Sequence, residues 1–163
     1  LIRTGRENKA PLSIIEQVER VNHERKIAMS GRIEEAVGGS LRGKTIGILG
    51  VTFKPNTDDM RDAPSLVIVP MLLERGAQVR VFDPQGRKQA EPMLPGVAWC
   101  QSALDVADGA DAISVLTEWN EFRALDLKEL RRRMKGNALV DLRNIFMGKV
   151  AEEAGLAYRG IGR

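Results

Sequence analysis

From Leu12 to Val37 the apolar positions Leu12, Ile15, Val18, Val21, Ala28, Met29, Ile33 and Val37 recur mostly at steps of three and four, with charged residues between them. That spacing places them along one stripe of a helix. Pro11 suits the first turn, where a missing N–H costs no hydrogen bond, and Gly38-Gly39 supplies the stop. The pattern predicts a long amphipathic helix over residues 11–37. Such a helix is roughly 38 Å long, more than one small domain can cover. Part of its stripe therefore needs another partner: a preceding domain, the same helix of a second subunit, or both.

Beyond Leu41-Arg42-Gly43-Lys44 the pattern changes to short apolar runs separated by helical stretches. The runs are Thr45–Leu49, Gln78–Phe82, Ala98–Trp99, Ala112–Leu116, Ala138–Val140 and Leu156–Ile161. Between them Ser65–Arg75, Gly86–Glu91, Ser102–Asp108, Asp126–Met134 and Lys149–Ala154 read as helices, with Pro70 expected to kink the first near its start. Strands apolar on both faces that alternate with helices imply a parallel sheet covered on both sides. The expected fold is α/β: a Rossmann-like, doubly wound parallel sheet preceded by a long amphipathic helix. Residues 1–41 form the linker and dimerisation helix in this reading, and residues 42–163 the sheet domain.

Length and composition narrow the picture. At 163 residues the chain suits one core plus an appendage. No apolar run is long enough for a membrane span. The opening Leu1-Ile2-Arg3-Thr4-Gly5-Arg6 has neither an initiator Met nor a signal pattern, which reads as the middle of a longer protein. A lone Cys100 and a lone His23 offer no zinc set, and a single cysteine suits a reducing cytoplasm. His23 belongs to the long helix, in a surface or interface role. The net charge of +3 is mild, and its most basic run, Arg131-Arg132-Arg133-Met134-Lys135, fits a helix C-terminus capped by Gly136. With 4% aromatics and no interleaving of bases with aromatics, nucleic-acid binding is not indicated.

In a sheet of this kind ligands sit beyond the carboxyl ends of the strands. After the first strand comes Gly47-Ile48-Leu49-Gly50-Val51-Thr52-Phe53-Lys54-Pro55-Asn56-Thr57-Asp58-Asp59-Met60-Arg61-Asp62-Ala63-Pro64-Ser65. Its glycines are spaced G-x-x-G, so the G-x-G-x-x-G turn of a dinucleotide site is missing. Lys54 and Arg61 could instead form a diphosphate site with the N-terminus of the following helix, or could pair with Asp58, Asp59 or Asp62. Thr117-Glu118-Trp119-Asn120-Glu121-Phe122 and Asp141-Leu142-Arg143-Asn144 follow the fourth and fifth strands, where Trp119 and Arg143 could meet a base or a phosphate, or cap and pack. Cys100, with no base near it in sequence, is a packing residue.

The long loop from Gly47 to Ser65 closely resembles the signature of the UDP-glucose/GDP-mannose dehydrogenase family's C-terminal domain. Thr117-Glu118-Trp119-Asn120-Glu121-Phe122 looks like its UDP-glucose branch, Val140-Asp141-Leu142-Arg143-Asn144 matches a further family segment, and Pro11-Leu12 through Val21-Asn22-His23-Glu24-Arg25 resembles the family's central helix. The resemblance implies an enzyme that oxidises the C6 alcohol of UDP-glucose twice, to UDP-glucuronate, using two NAD and a cysteine that forms a thioester. It implies that Phe53, Lys54 and Arg143 contact the UDP-sugar and that Arg61 reaches the cofactor. It also implies a cytoplasmic homodimer through the helix at 11–37, without metal, serving polysaccharide biosynthesis. The family's catalytic cysteine stretch and its dinucleotide fingerprint are absent from this sequence, and Cys100 is no substitute. The resemblance therefore places no catalytic residue in this chain, places NAD mainly on an N-terminal domain, and implies no turnover by the chain alone. Two other readings stand beside it: a stand-alone, non-catalytic nucleotide-sugar-binding module, and a sister dehydrogenase acting on GDP-mannose or an N-acetylated UDP-sugar.

Overall fold

The computed structural model describes residues 12–162; the expectations placed on residues 1–6 and on Pro11 lie outside them. The long helix is present as α1, Ser13–Ala36. It stops where the glycines said it would. Gly38 and Gly39 take φ of 92° and 85°, and their N–H groups turn back onto Glu35 and Glu34.

Six strands come after it: β1 (Thr45–Leu49), β2 (Gln78–Phe82), β3 (Ala98–Trp99), β4 (Ala112–Val115), β5 (Ala138–Asp141) and β6 (Ala157–Gly160). They pair in the order β3-β2-β1-β4-β5-β6, every pairing parallel. The doubly wound expectation holds, and the strand order reverses between β1 and β4. The connecting helices are α2 (Ser65–Glu74), α3 (Arg87–Ala90), α4 (Asn120–Arg123), α5 (Leu127–Arg133) and α6 (Gly148–Glu153). α2 continues through Pro70 without interruption.

Alternate residues of the strands feed two cores. Ile46, Ile48, Ala112 and Val140 face one side with Ile68 and Leu72 of α2, while Leu49, Ile113, Val115 and Leu139 face the other with Phe122 and Leu130. The chain crosses from β1 to β2 on the first side and from β4 to β6 on the second. That winding leaves the first face bare over β4 and β5, and the end of α1 covers it. Ile33 is fully buried there, Arg75 at the C-cap of α2 binds Glu34 at 2.7 Å, and Arg32 reaches the Gly160 carbonyl of β6 at 3.5 Å. The front half of α1 has no such cover: Ile14 is 80% exposed and Val18 53%.

Two expectations need correction, and one element is new. Ser102–Asp108 is not a helix but a single 3-10 turn, Asp105–Ala107, pinned by the Ser102 hydroxyl accepting the Asp105 N–H. Asn120–Arg123, given no element from the sequence, forms one helical turn with Trp119 at its N-cap position. Gly136 does not cap the basic helix, which ends at Arg133 with Met134 as its extended C-cap; a Cβ on Gly136 would lie 2.1 Å from the Asp111 carbonyl oxygen, so glycine is required there by a close backbone crossing. The arginines before it are neutralised locally, Arg132 and Arg133 both binding Glu129.

Candidate functional site

The carboxyl ends of β1, β4 and β5 meet at the switch point, where crevices form in doubly wound sheets. The two glycines after Thr45 serve the packing of β1 and not a phosphate. A Cβ on Gly47 would meet Ile113 and Val106 at 2.4 and 2.5 Å. Gly50 adopts φ 80°, and a Cβ there would lie 2.5 Å from the Thr117 Cβ. The space a phosphate turn would use is thus filled by the chain itself.

The turn after Gly50 is organised by Asp83, a residue whose role the sequence pattern alone does not mark. Asp83, at the end of β2, is 5% exposed. Its Oδ2 accepts from the Val51 N–H at 2.7 Å, the Thr52 N–H and hydroxyl at 3.1 Å each, and Trp119 Nε1 at 3.3 Å. Its Oδ1 accepts from the N–H groups of Gln85 and Gly86 at 3.1 and 2.7 Å. The signal for it was Asp83-Pro84-Gln85-Gly86 directly after a strand, an Asx-turn composition at a carboxyl end. In dinucleotide sites an acid near this point holds a ribose. Here every lone-pair direction is spent on the protein. With the phosphate turn closed and this acid consumed, the crevice does not fit NAD in the manner of a dinucleotide-binding Rossmann domain.

Thr117 hydroxyl donates to the Thr52 carbonyl at 2.6 Å and ties the β4 loop to the β1 loop. Trp119 is buried and packs in the second core, so it caps and packs and is not a face for a base. The loop beyond Thr52 closes on itself through Phe53 N–H to the Asp59 carbonyl, 2.9 Å. Asn56 and Asp62 take left-handed φ of 60° and 62°, conformations that Asn and Asp tolerate.

The four residues implied as ligand contacts divide into two groups. Phe53 and Arg143 line an open groove of about 1330 Å³ between α1 and the sheet's carboxyl edge, together with Asp62, Pro64, Leu116 and Leu142. Lys54 and Arg61 lie outside it. Arg61 binds Asp59 through Nε at 3.0 Å and Nη2 at 2.8 Å, one of the two alternatives open for it from the sequence. Hydrogen bonds from the Arg61 side chain, then from its backbone N–H, lower the Asp59 carboxyl to about 2. The first N–H groups of α2 are also engaged, Leu66 and Val67 donating to the Ala63 and Pro64 carbonyls. Lys54 is exposed and makes no ion pair among the described residues.

Arg143 is held in the groove wall by Glu118, with Nε to Oε2 at 2.5 Å and Nη2 to Oε1 at 2.6 Å. Burial acts to raise the Glu118 carboxyl, but hydrogen bonds from Arg143 and from its own backbone, with the nearby charges of Arg143 and Arg123, bring it below its ordinary value. Cys100 is half-buried and burial pushes its thiol up, which disfavours the thiolate. Among the described residues no group of three His, Cys, Asp or Glu could hold a metal, and no helix is long and apolar enough to cross a membrane.

A doubly wound sheet with its dinucleotide turn closed and an arginine-lined groove at the switch point defines a nucleotide-ligand domain of the Rossmann-like class. Residues 47–148 match the UDP-glucose/GDP-mannose dehydrogenase family's UDP binding domain. The chain belongs to that family. It is 42% identical to the UDP-glucose 6-dehydrogenase of Rhizobium meliloti (strain 1021), a match covering 100% of this chain and 37% of that protein. A solved UDP-glucose dehydrogenase from the hyperthermophilic archaeon Pyrobaculum islandicum is 33% identical, with a TM-score of 0.78 over 98% of this chain and 34% of that one. A UDP-D-ManNAc dehydrogenase from Pyrococcus horikoshii is 28% identical, with a TM-score of 0.74 over 88% of this chain and 32% of that one. The chain thus spans little more than a third of the length of the curated relatives it matches.

Proposed function

We propose that this chain is the UDP-binding part of a UDP-glucose 6-dehydrogenase, an NAD-dependent enzyme that oxidises UDP-glucose to UDP-glucuronate. The observation that carries the reading is the coincidence of the family's UDP binding domain, residues 47–148, with a groove lined by Phe53 and Arg143 at the switch point. Phe53, 49% exposed, offers a face for an aromatic base, and Arg143 a charge for a phosphate. Lys54, exposed and without an ion pair among the described residues, is free to swing onto the ligand. Arg61 would reach the cofactor only by leaving Asp59. NAD and the redox chemistry belong mainly to residues other than these, and the chain by itself does not turn substrate over. Residues 1–41 act as linker helix and 42–163 as the binding domain of a cytoplasmic enzyme that supplies uronate for polysaccharide biosynthesis.

Calorimetric titration tests the reading. UDP-glucose should give saturable heat where GDP-mannose and NAD give none, and Arg143→Ala should weaken binding about tenfold to a hundredfold, the worth of a charged hydrogen bond. Equal heats for GDP-mannose would point to the sister dehydrogenase, and no heat for UDP-glucose would remove the binding role from this chain.

The bare front half of α1 supports a homodimer through this helix. Ile14, Ile15, Val18 and Val21 are all exposed large apolar residues on one segment. Sedimentation should show a concentration-dependent dimer that Val18→Glu shifts to monomer; a monomer at every concentration would sink the proposal.

A further inference from the structure

We propose that Glu118 is a positioning residue for anion binding: it holds the side edge of the Arg143 guanidinium and leaves the end edge of the fork for a phosphate in the groove. The inference rests on the reading of the groove as a UDP site.

Arginine carries five N–H donors in a planar fork. Glu118 takes the Nε–H and one Nη2–H, both oxygens being used. Three donors remain, two on Nη1 and one on Nη2; one from each nitrogen forms the end of the fork, the edge that matches two oxygens of a phosphate. Arg143 lines the groove and Glu118 does not, so the carboxylate stands behind the guanidinium and does not compete with a ligand in front of it.

Both partners are themselves anchored. Glu118 lies between Thr117, whose hydroxyl is tied to the Thr52 carbonyl, and Trp119, whose indole N–H is tied to Asp83. The Arg143 backbone N–H donates to Asp141 Oδ1 at 3.1 Å, and Asp141, fully buried, also accepts from the Phe146 N–H at 2.9 Å and the Tyr158 hydroxyl at 3.2 Å. Asn144, at φ 54°, is clamped to Ile161 by a reciprocal pair of hydrogen bonds at 2.9 and 3.0 Å. An arginine fixed at its root and along one edge has lost most of its side-chain freedom before a ligand arrives, and that prior ordering lowers the cost of binding.

The test is a double-mutant cycle read by calorimetry with UDP and with uridine as probes. Glu118→Gln puts an amide N–H against the Arg143 donors and should weaken UDP about tenfold or more while leaving uridine unchanged. Glu118→Asp keeps the charge but shortens the reach, and should give a smaller loss of UDP affinity. In an Arg143→Ala background Glu118→Gln should have no further effect, because its influence passes through the arginine. A merely structural role for Glu118 would weaken UDP and uridine alike and persist in that background, which would overturn the proposal. Tighter UDP binding by Glu118→Gln would also overturn it, showing the carboxylate to be a competitor, with the UDP reading intact. No UDP binding by the unaltered chain would overturn the UDP reading and this inference together.

Discussion

Replacing Asp83 with alanine is expected to lower the unfolding free energy by about 3–5 kcal/mol, a loss at the upper end for single substitutions. The carboxylate is 5% exposed and accepts from the N–H groups of Val51, Thr52, Gln85 and Gly86 and from Trp119 Nε1. Alanine would leave these donors facing a void too small to bring each of them a water. Asp83→Asn is expected to cost less but not to be silent, since both carboxylate oxygens receive donors and one must become an NH2 group. Urea denaturation of the two variants decides the matter; a loss below about 1 kcal/mol for Asp83→Ala would mean that water replaces the carboxylate freely. Such a variant should also lose the order of the Val51–Phe53 turn, and with it the placing of Phe53 in the groove.

Gly50→Ala is expected to cost about 2–4 kcal/mol, from a left-handed backbone and an overpacked contact acting together. The φ of 80° disfavours any side chain, and the added Cβ would lie 2.5 Å from the Thr117 Cβ and 3.0 Å from the Thr117 N and O. Thr117 cannot retreat, because its hydroxyl is bonded to the Thr52 carbonyl and its N–H to the Leu49 carbonyl. Gly38→Ala provides the control: φ is 92°, yet nothing lies within 4 Å of the added Cβ. It should cost about 1 kcal/mol, the conformational part alone. Equal unfolding midpoints for the two variants would show that the close approach of β1 and β4 contributes nothing.

The regular elements were legible in the sequence because their signals are local. Thr45–Leu49, Gln78–Phe82 and Ala98–Trp99 have the bounds their apolar residues indicated: β1 is buried on both faces from Ile46 onward, whereas β2 buries only the alternate residues Val79 and Val81, and β3 is a two-residue edge. β4 stops a residue short of its run because Leu116 and Thr117 both turn their N–H groups back to the Leu49 carbonyl, while β5 gains Asp141 by pairing with Val115. The 3-10 turn at Asp105–Ala107 is shorter than the helix its composition suggests: Ala103, Val106 and Ala107 are buried in the second core, with Val106 seated close over Gly47.

The sequence by itself determined the α/β class, the long helix with its terminating glycines, the absence of a dinucleotide turn, and the segments that could meet at the switch point. Only the tertiary structure decided how the charges pair. Arg61 is drawn to a neighbour two residues away, Arg143 to Glu118 across 25 residues, and the Trp119 indole to Asp83 across 36. Periodicity reports which face of an element is buried. It carries no information on which polar side chains from separate loops converge, because that depends on strand order and on how closely β1 and β4 approach through Gly50.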